Sequence, residues 1–278
     1  MMVSDAFTAS CAAFTLASCY VLSLYVWRAH TDRDHPETIK RRFVSAFAML
    51  FLSPAFVWAV SGPRPGSSGM AETVGLRLDG LLPAIVVPLL LTAVLFLGPL
   101  ATAALGVRAR LWLYPQYWRR ALSDLIFWRN YVVAPISEEV TFRACLVPIL
   151  LGPFTRRGTV LVSPLFFGVA HLHHLVERLR SGIDARTAVV VSLFQMAYTT
   201  VFGFYSAFLF LRTGHLAAPA VVHCFCNTMG FPDFSEVVHK PTRERNLLLA
   251  LYVTGLALFA TMLFSLTEPS LYQNKIYA

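Results

Sequence analysis

Tyr131-Val-Val-Ala-Pro-Ile-Ser-Glu138-Glu139-Val-Thr-Phe-Arg143-Ala-Cys-Leu-Val-Pro-Ile-Leu-Leu151 decides the reading of this chain. The run is apolar at most positions and long enough to cross the roughly 30 Å hydrocarbon core of a bilayer as a helix. It nevertheless carries two adjacent carboxylates and a guanidinium. Ionisable groups at membrane depth are costly, and where they occur they mark a site rather than a face. Two more apolar runs carry His171 and the pair His223/Asn227. Three membrane segments with side chains suited to acid–base work point to one shared catalytic cavity.

Outward from that stretch, the composition agrees. Of 278 residues 56% are hydrophobic and 14% charged, too few charges for an ordinary soluble domain. Mean hydropathy is +0.61. Apolar segments fall near 7–27, 43–60, 81–107, 131–151, 159–173, 187–211, 216–230 and 247–266. The predicted fold is all-α, a polytopic membrane bundle of about eight transmembrane helices around an intramembrane cavity. Segments 159–173 and 216–230 are short, and would tilt or begin inside the bundle. The first segment does not read as a cleaved signal: its apolar core is long and no basic region precedes it. No repeat or low-complexity linker divides the chain, so 1–278 reads as one integral membrane domain. Residues 62–69 are a Gly/Pro/Ser loop. The stretch 111–129 interleaves Trp and Tyr with Arg and suits a helix in the interface, or an aromatic belt at a helix end.

Charge orients the chain. With eight spans, the odd-numbered loops hold most of the Lys and Arg: Arg28, Arg33 and Lys40 to Arg42 in the first, Arg108 to Arg129 in the third, Arg178 to Arg186 in the fifth, Lys240 to Arg245 in the seventh. The positive-inside rule then places those loops, and the cavity near them, on the cytosolic side. The net charge of +8 is spread over span-flanking loops, which fits anionic lipid headgroups. No nucleic-acid-binding motif accompanies it. Cys11, Cys19, Cys145, Cys224 and Cys226 all lie within apolar segments and read as small buried hydrophobes, not disulfides. Cys226 near a histidine is a weaker candidate for a nucleophile.

On a helix Glu139 and Arg143 stand four apart with the acid N-terminal, the favourable order for an ion pair. Glu138 points about 100° away and is left for the cavity. Burial beside a second negative charge is what a general base near neutral pH needs. Phe167 and His171 share a helix face, and so do His223 and Asn227, which can offer two donors to one oxyanion. His173 and His174 follow at the membrane boundary, where solvation is the plainer account.

The ordered set resembles a known family, the type II CAAX prenyl endopeptidases or Ras-converting enzymes. They are the eukaryotic branch of the wider CAAX-protease and bacteriocin-processing family. The likeness rests on residues 129–143, on Phe166-Phe-Gly-Val-Ala-His-Leu-His-His174, and on Leu211-Arg-Thr-Gly-His-Leu-Ala-Ala-Pro219 running on to His223 and Asn227. It covers a core from about 76 to 232. The resemblance implies that Glu138 and His171 activate a water, His223 and Asn227 hold the oxyanion, and Glu139, Arg143 and Phe167 support the site. It implies prenylated CaaX proteins such as small GTPases as substrates, no cofactor and no metal. It also implies a place in the endoplasmic reticulum membrane, with chemistry facing the cytosol. Two other readings stay open from the residues. One is a zinc metalloprotease with Glu138, His171 and His223 as ligands, although the chain has no His-Glu-x-x-His. The other is a non-catalytic scaffold that binds prenylated proteins.

Overall fold

A computed structural model describes residues 5–27 and 33–278. Arg28, counted above in the first loop, lies outside the described residues. Every regular element among those described is helical. The first helix, Ala6–Ser23, starts where the Asp5 carboxylate accepts from the Thr8 amide at 2.8 Å. Ala9, Ala13, Leu16, Ala17 and Tyr20 face inward, while Phe7, Phe14 and Leu22 face out. Helix Pro36–Val60 uses Pro36 at its start, where a missing N–H costs nothing. Its outward face carries Phe47, Phe51 and Trp58. Helix Thr242–Leu266 has a mean hydropathy of 2.3 over a window that is 11% buried. So much apolar surface outside the protein core requires a lipid surround.

Among the described residues five helices are long and apolar enough to span a membrane: Ala6–Ser23, Pro36–Val60, Arg156–Arg180, Ala185–Thr213 and Thr242–Leu266. A sixth is the pair Leu81–Leu95 and Leu97–Leu105, bent by 71°. The expectation of about eight spans is therefore met only in part. The segment predicted at 81–107 breaks at Phe96. The two segments that carry most of the polar set are not long regular helices. One is broken by π-helical stretches, and the other, Ala217–Met229, has 13 residues. The predicted interfacial helix at 111–129 is three short helices, Val107–Trp112, Pro115–Ser123 and Leu125–Trp128. Pro115 and the capping Asp124 punctuate it.

Close packing sets the centre. Helix Arg156–Ala170 lies along Ala185–Thr213, and two glycines let the backbones approach. A Cβ on Gly203 would sit 2.8 Å from Pro164 Cβ, and one on Gly168 would collide with Thr200. At the far end of Ala185–Thr213 from His171, the chain's last residues tuck into the bundle. Asn274 donates to the Leu211 carbonyl at 2.9 Å, Arg77 donates to the Tyr272 carbonyl at 2.6 Å, and the Tyr277 hydroxyl bonds the Thr73 carbonyl.

Cysteine burial departs from the sequence reading. Cys145 is buried, Cys224 and Cys226 are partly buried, and Cys11 and Cys19 lie on the outer face of the first helix. All five are free thiols. A cysteine is apolar enough to face lipid as readily as a core.

Candidate active site

The Glu138 segment runs as one continuous helical path over 125–150, with π geometry at Arg129–Val133 and Val140–Cys145. Each π stretch ends two or three residues before a proline, Pro135 or Pro148. The cause is visible at the first. The Ala134 amide bonds the Arg129 carbonyl, five residues back. Next in that register would be Pro135 to Asn130, and proline has no N–H. The Asn130 carbonyl is left over, and the Asn227 side-chain amide donates to it at 3.0 Å. Asn227 thus ties helix Ala217–Met229 to the start of the Glu138 segment.

Glu139 is fully buried and joins three helices. Its Oε1 lies 3.1 Å from Arg143 Nη1 and accepts from His223 Nδ1 at 2.7 Å. Its Oε2 accepts from the Ser206 hydroxyl at 2.6 Å. The Arg143 pair is close but poorly angled: neither Nη makes a directed hydrogen bond among the described residues. Arg143 is held by charge and by ring faces instead, its Cζ 4.1 Å above Phe167 and 5.7 Å from Phe202. Phe167, 1% exposed, also packs edge-on to His171 with centroids 4.6 Å apart.

Glu138 faces a different way. It lines a cavity together with His171, His173, His174, Asn130 and Ser137. His171 Nδ1 lies 2.8 Å from the Phe167 carbonyl, which can only accept. Nδ1 therefore carries the hydrogen, and Nε2 of the neutral ring keeps its lone pair. His223 follows the same logic. Its Nδ1 donates to Glu139, and its Nε2 lies 3.8 Å from a Glu138 oxygen. Neutral His223 offers an acceptor there, and its imidazolium form offers a donor. The cavity measures about 90 Å³, room for a few waters. A second cavity of about 590 Å³ adjoins it. Tyr114, Tyr117, Phe127 and Tyr131 line this one, and Asn130 lines both.

Glu138, His171 and His223 thus come together. Asn227 stands one turn beyond His223, exposed, with one amide hydrogen committed to Asn130. The zinc reading is not favoured. Among the described residues, the three side chains whose ligand atoms approach within 4.8 Å are instead His173, His174 and Glu177. Sequence reasoning missed Ser206, and it missed Glu177, which accepts from Tyr25 at 2.8 Å and Arg42 at 2.7 Å. A serine at a buried position of an apolar helix is a weak signal. The prolines within the Glu138 run were the readable sign of its irregular backbone.

A helical membrane bundle with carboxylates, imidazoles and a guanidinium gathered at its centre has the make-up of a polytopic membrane enzyme. The chain belongs to the Rce1-like family of type II CAAX prenyl endopeptidases, and it is a peptidase. The family model, "Type II CAAX prenyl endopeptidase Rce1-like", matches residues 120–229. The chain is 45% identical over 268 residues to human CAAX prenyl protease 2, covering 93% of this chain and 80% of that one. It is 33% identical to the Arabidopsis thaliana CAAX prenyl protease 2, over 96% of this chain and 91% of the relative. To the Saccharomyces cerevisiae CAAX prenyl protease 2 it is 29% identical, over 78% of each chain. No solved structure matches.

Proposed function

We propose that this peptidase hydrolyses the peptide bond after the prenylated cysteine of CaaX proteins and releases the last three residues. The observation that carries the reading is the placement of Glu138 and His171 on one water-sized cavity, with His223 Nε2 3.8 Å from Glu138. The lone pair of His171 Nε2 orients a water. Glu138 takes the water's proton as its oxygen attacks the scissile carbonyl. The carbonyl oxygen becomes an oxyanion, held by the imidazolium N–H of His223 and the second amide hydrogen of Asn227. When the C–N bond breaks, Glu138 returns the proton to the leaving amine. Glu139 orients His223, and Arg143 balances Glu139. No covalent intermediate is needed, so Cys224 and Cys226 have no part.

The membrane setting suits the substrate. A prenyl chain is already partitioned into lipid. The 590 Å³ aromatic cavity beside the site falls within the about 300–1,000 Å³ range of small-ligand pockets. Glu138 lies eight residues after Asn130, about 12 Å along a helix, within the reach of an isoprenoid. The catalytic core is residues 76–232, and the protein resides in the endoplasmic reticulum membrane with the cavity open to the cytosol.

The test is mass spectrometry of a farnesylated CaaX peptide incubated with purified protein. The expected product is the farnesyl-cysteine peptide plus the free tripeptide, absent with Glu138→Gln. Tight binding without turnover would instead make the chain a prenyl-protein scaffold.

A further inference from the structure

One buried hydroxyl on the wall of the Glu138 cavity takes no step in the hydrolysis. Of the five side chains that the first helix, Ala6–Ser23, turns inward, four are Ala or Leu and the fifth is Tyr20. Tyr20 lines the cavity and is 4% exposed. The family model begins at residue 120, so this helix lies outside the matched stretch. A hydroxyl buried in an apolar bundle is costly unless it is bonded. Tyr20 Oη lies 2.9 Å from Ser137 Oγ, and Ser137, buried on the same wall, stands immediately before Glu138. The Ser137 hydroxyl donates to the Ala134 carbonyl at 3.1 Å. A serine has one hydrogen to give, so the Tyr20 phenol donates to Ser137. The chain of bonds runs from the first helix to the backbone of the Glu138 segment.

The backbone there explains why Glu138 needs such a tie. Ala134–Glu139 is six residues of α-helix between π stretches at Arg129–Val133 and Val140–Cys145. π geometry departs from the 3.6-residue turn, so helix geometry alone does not fix where Glu138 points. Bonds to other helices hold the path instead. Asn227 holds Asn130, Ser53 Oγ lies 3.3 Å from Thr141 Oγ1, and Tyr20 holds Ser137 between them. Of these three ties, only that of Tyr20 falls within the α-helical six. The Tyr20 ring is fixed as well. It packs edge-on to Phe142 with centroids 5.7 Å apart, and Phe142 meets Phe167, the ring beside His171, at 5.1 Å. Helix glue would account for a tyrosine–serine bond anywhere along the two helices, but not for its place next to Glu138 on the cavity wall.

We propose that Tyr20 is a positioning residue for the hydrolysis: its hydroxyl, through Ser137, sets the direction in which Glu138 meets the water. The first helix is then part of the active site and not only a membrane anchor. Tyr20 acts on kcat and leaves peptide binding alone. The proposal rests on Glu138 as the general base, as read above.

The test is steady-state cleavage of a farnesylated CaaX peptide by full-length protein in neutral-lipid vesicles, with a thermal melt of each variant. Tyr20→Phe keeps the ring and loses the hydroxyl. It is expected to lower kcat by about 10–100-fold, the scale of a small misplacement of a reacting group, with KM and melting temperature near wild type. Ser137→Ala should do the same. Tyr20→Phe/Ser137→Ala should be no slower than the slower single variant, because both changes break one chain of bonds. Cys19→Ala, on the outer face of the same helix, should match wild type. Wild-type kcat in Tyr20→Phe overturns the proposal. So does a rate loss accompanied by a matching fall in melting temperature or rise in KM, which makes the bond glue between helices. Rate losses of Tyr20→Phe and Ser137→Ala that multiply in the double variant overturn it too. Glu138→Gln keeps the two ideas apart. If it cleaves as fast as wild type, the base assignment fails and this proposal with it. If it is inactive beside a fully active Tyr20→Phe, only the role of Tyr20 fails.

Discussion

Two neighbouring carboxylates meet different surroundings because successive residues of a helix point about 100° apart. Glu139 is enclosed by Arg143, His223 and Ser206, whereas Glu138 meets the cavity. Glu138→Gln is therefore expected to lower kcat by at least the about 10²–10⁴ typical of a positioned acid–base group, with the melting temperature near wild type. Glu139→Ala should instead unfold early, because it strands a buried guanidinium, a loss of about 3–5 kcal/mol. Thermal melts beside peptide cleavage decide this, and a dead Glu139→Gln with a fully active Glu138→Gln would reverse the assignment. Asn227→Ala should lower kcat by about 10²–10³ while leaving peptide KM nearly unchanged. A KM rise or a fall in melting temperature that matches the rate loss would reduce Asn227 to its bond with Asn130. Replacing Cys145, Cys224 and Cys226 together by Ala should leave substantial turnover, and a trapped thioester in the wild type would refute the water route. The Glu139–Arg143 spacing was legible because i to i+4 geometry is local. Ser206 was not, since its partner is 67 residues away and nothing in an isolated serine announces a carboxylate.

At the scale of elements, long apolar runs made the spanning helices easy to read, and their ends differ from the structure by up to seven residues. The breaks were harder. The 71° bend at Phe96 comes just before Gly98-Pro99: Pro99 has no N–H for the Leu95 carbonyl four residues back, and Gly98 abuts Tyr252 of Thr242–Leu266. The π stretches change where the polar side chains point, and at the first of them the cause is a missing donor at Pro135. Pro135→Ala should restore a backbone N–H for Asn130 and free the Asn227 amide. The expected result is an unchanged or higher melting temperature with a kcat reduced at least several-fold, because Glu138 and Asn227 both shift. Unaltered kinetics would show that the irregular backbone is incidental to the chemistry. Gly203→Leu should act oppositely. It forces the helices of His171 and Ser206 apart and should lower stability by about 1–3 kcal/mol, the usual penalty of overpacking, read as a drop in melting temperature.

For the whole molecule, composition alone announced a membrane protein, and loop charge gave an orientation that labelling can test. In a background lacking native cysteines, Arg41→Cys should react with an impermeant maleimide added outside sealed microsomes, and Ser68→Cys only after permeabilisation. The reverse pattern would turn the cavity to the lumen. The number of spans was less legible, because a helix that serves a site need not be long or regular. Biosynthesis inherits one consequence of the bond from Asn227 to the Asn130 carbonyl. When the Glu138 segment leaves the ribosome, the residues that will complete its backbone and neutralise its charges, Ser206, His223 and Asn227, are still untranslated. Each charge lodged alone in the bilayer would cost about 2.5–3.5 kcal/mol. Lateral release of that segment is thus best delayed until Ala217–Met229 arrives, so the active site is also the checkpoint for assembly.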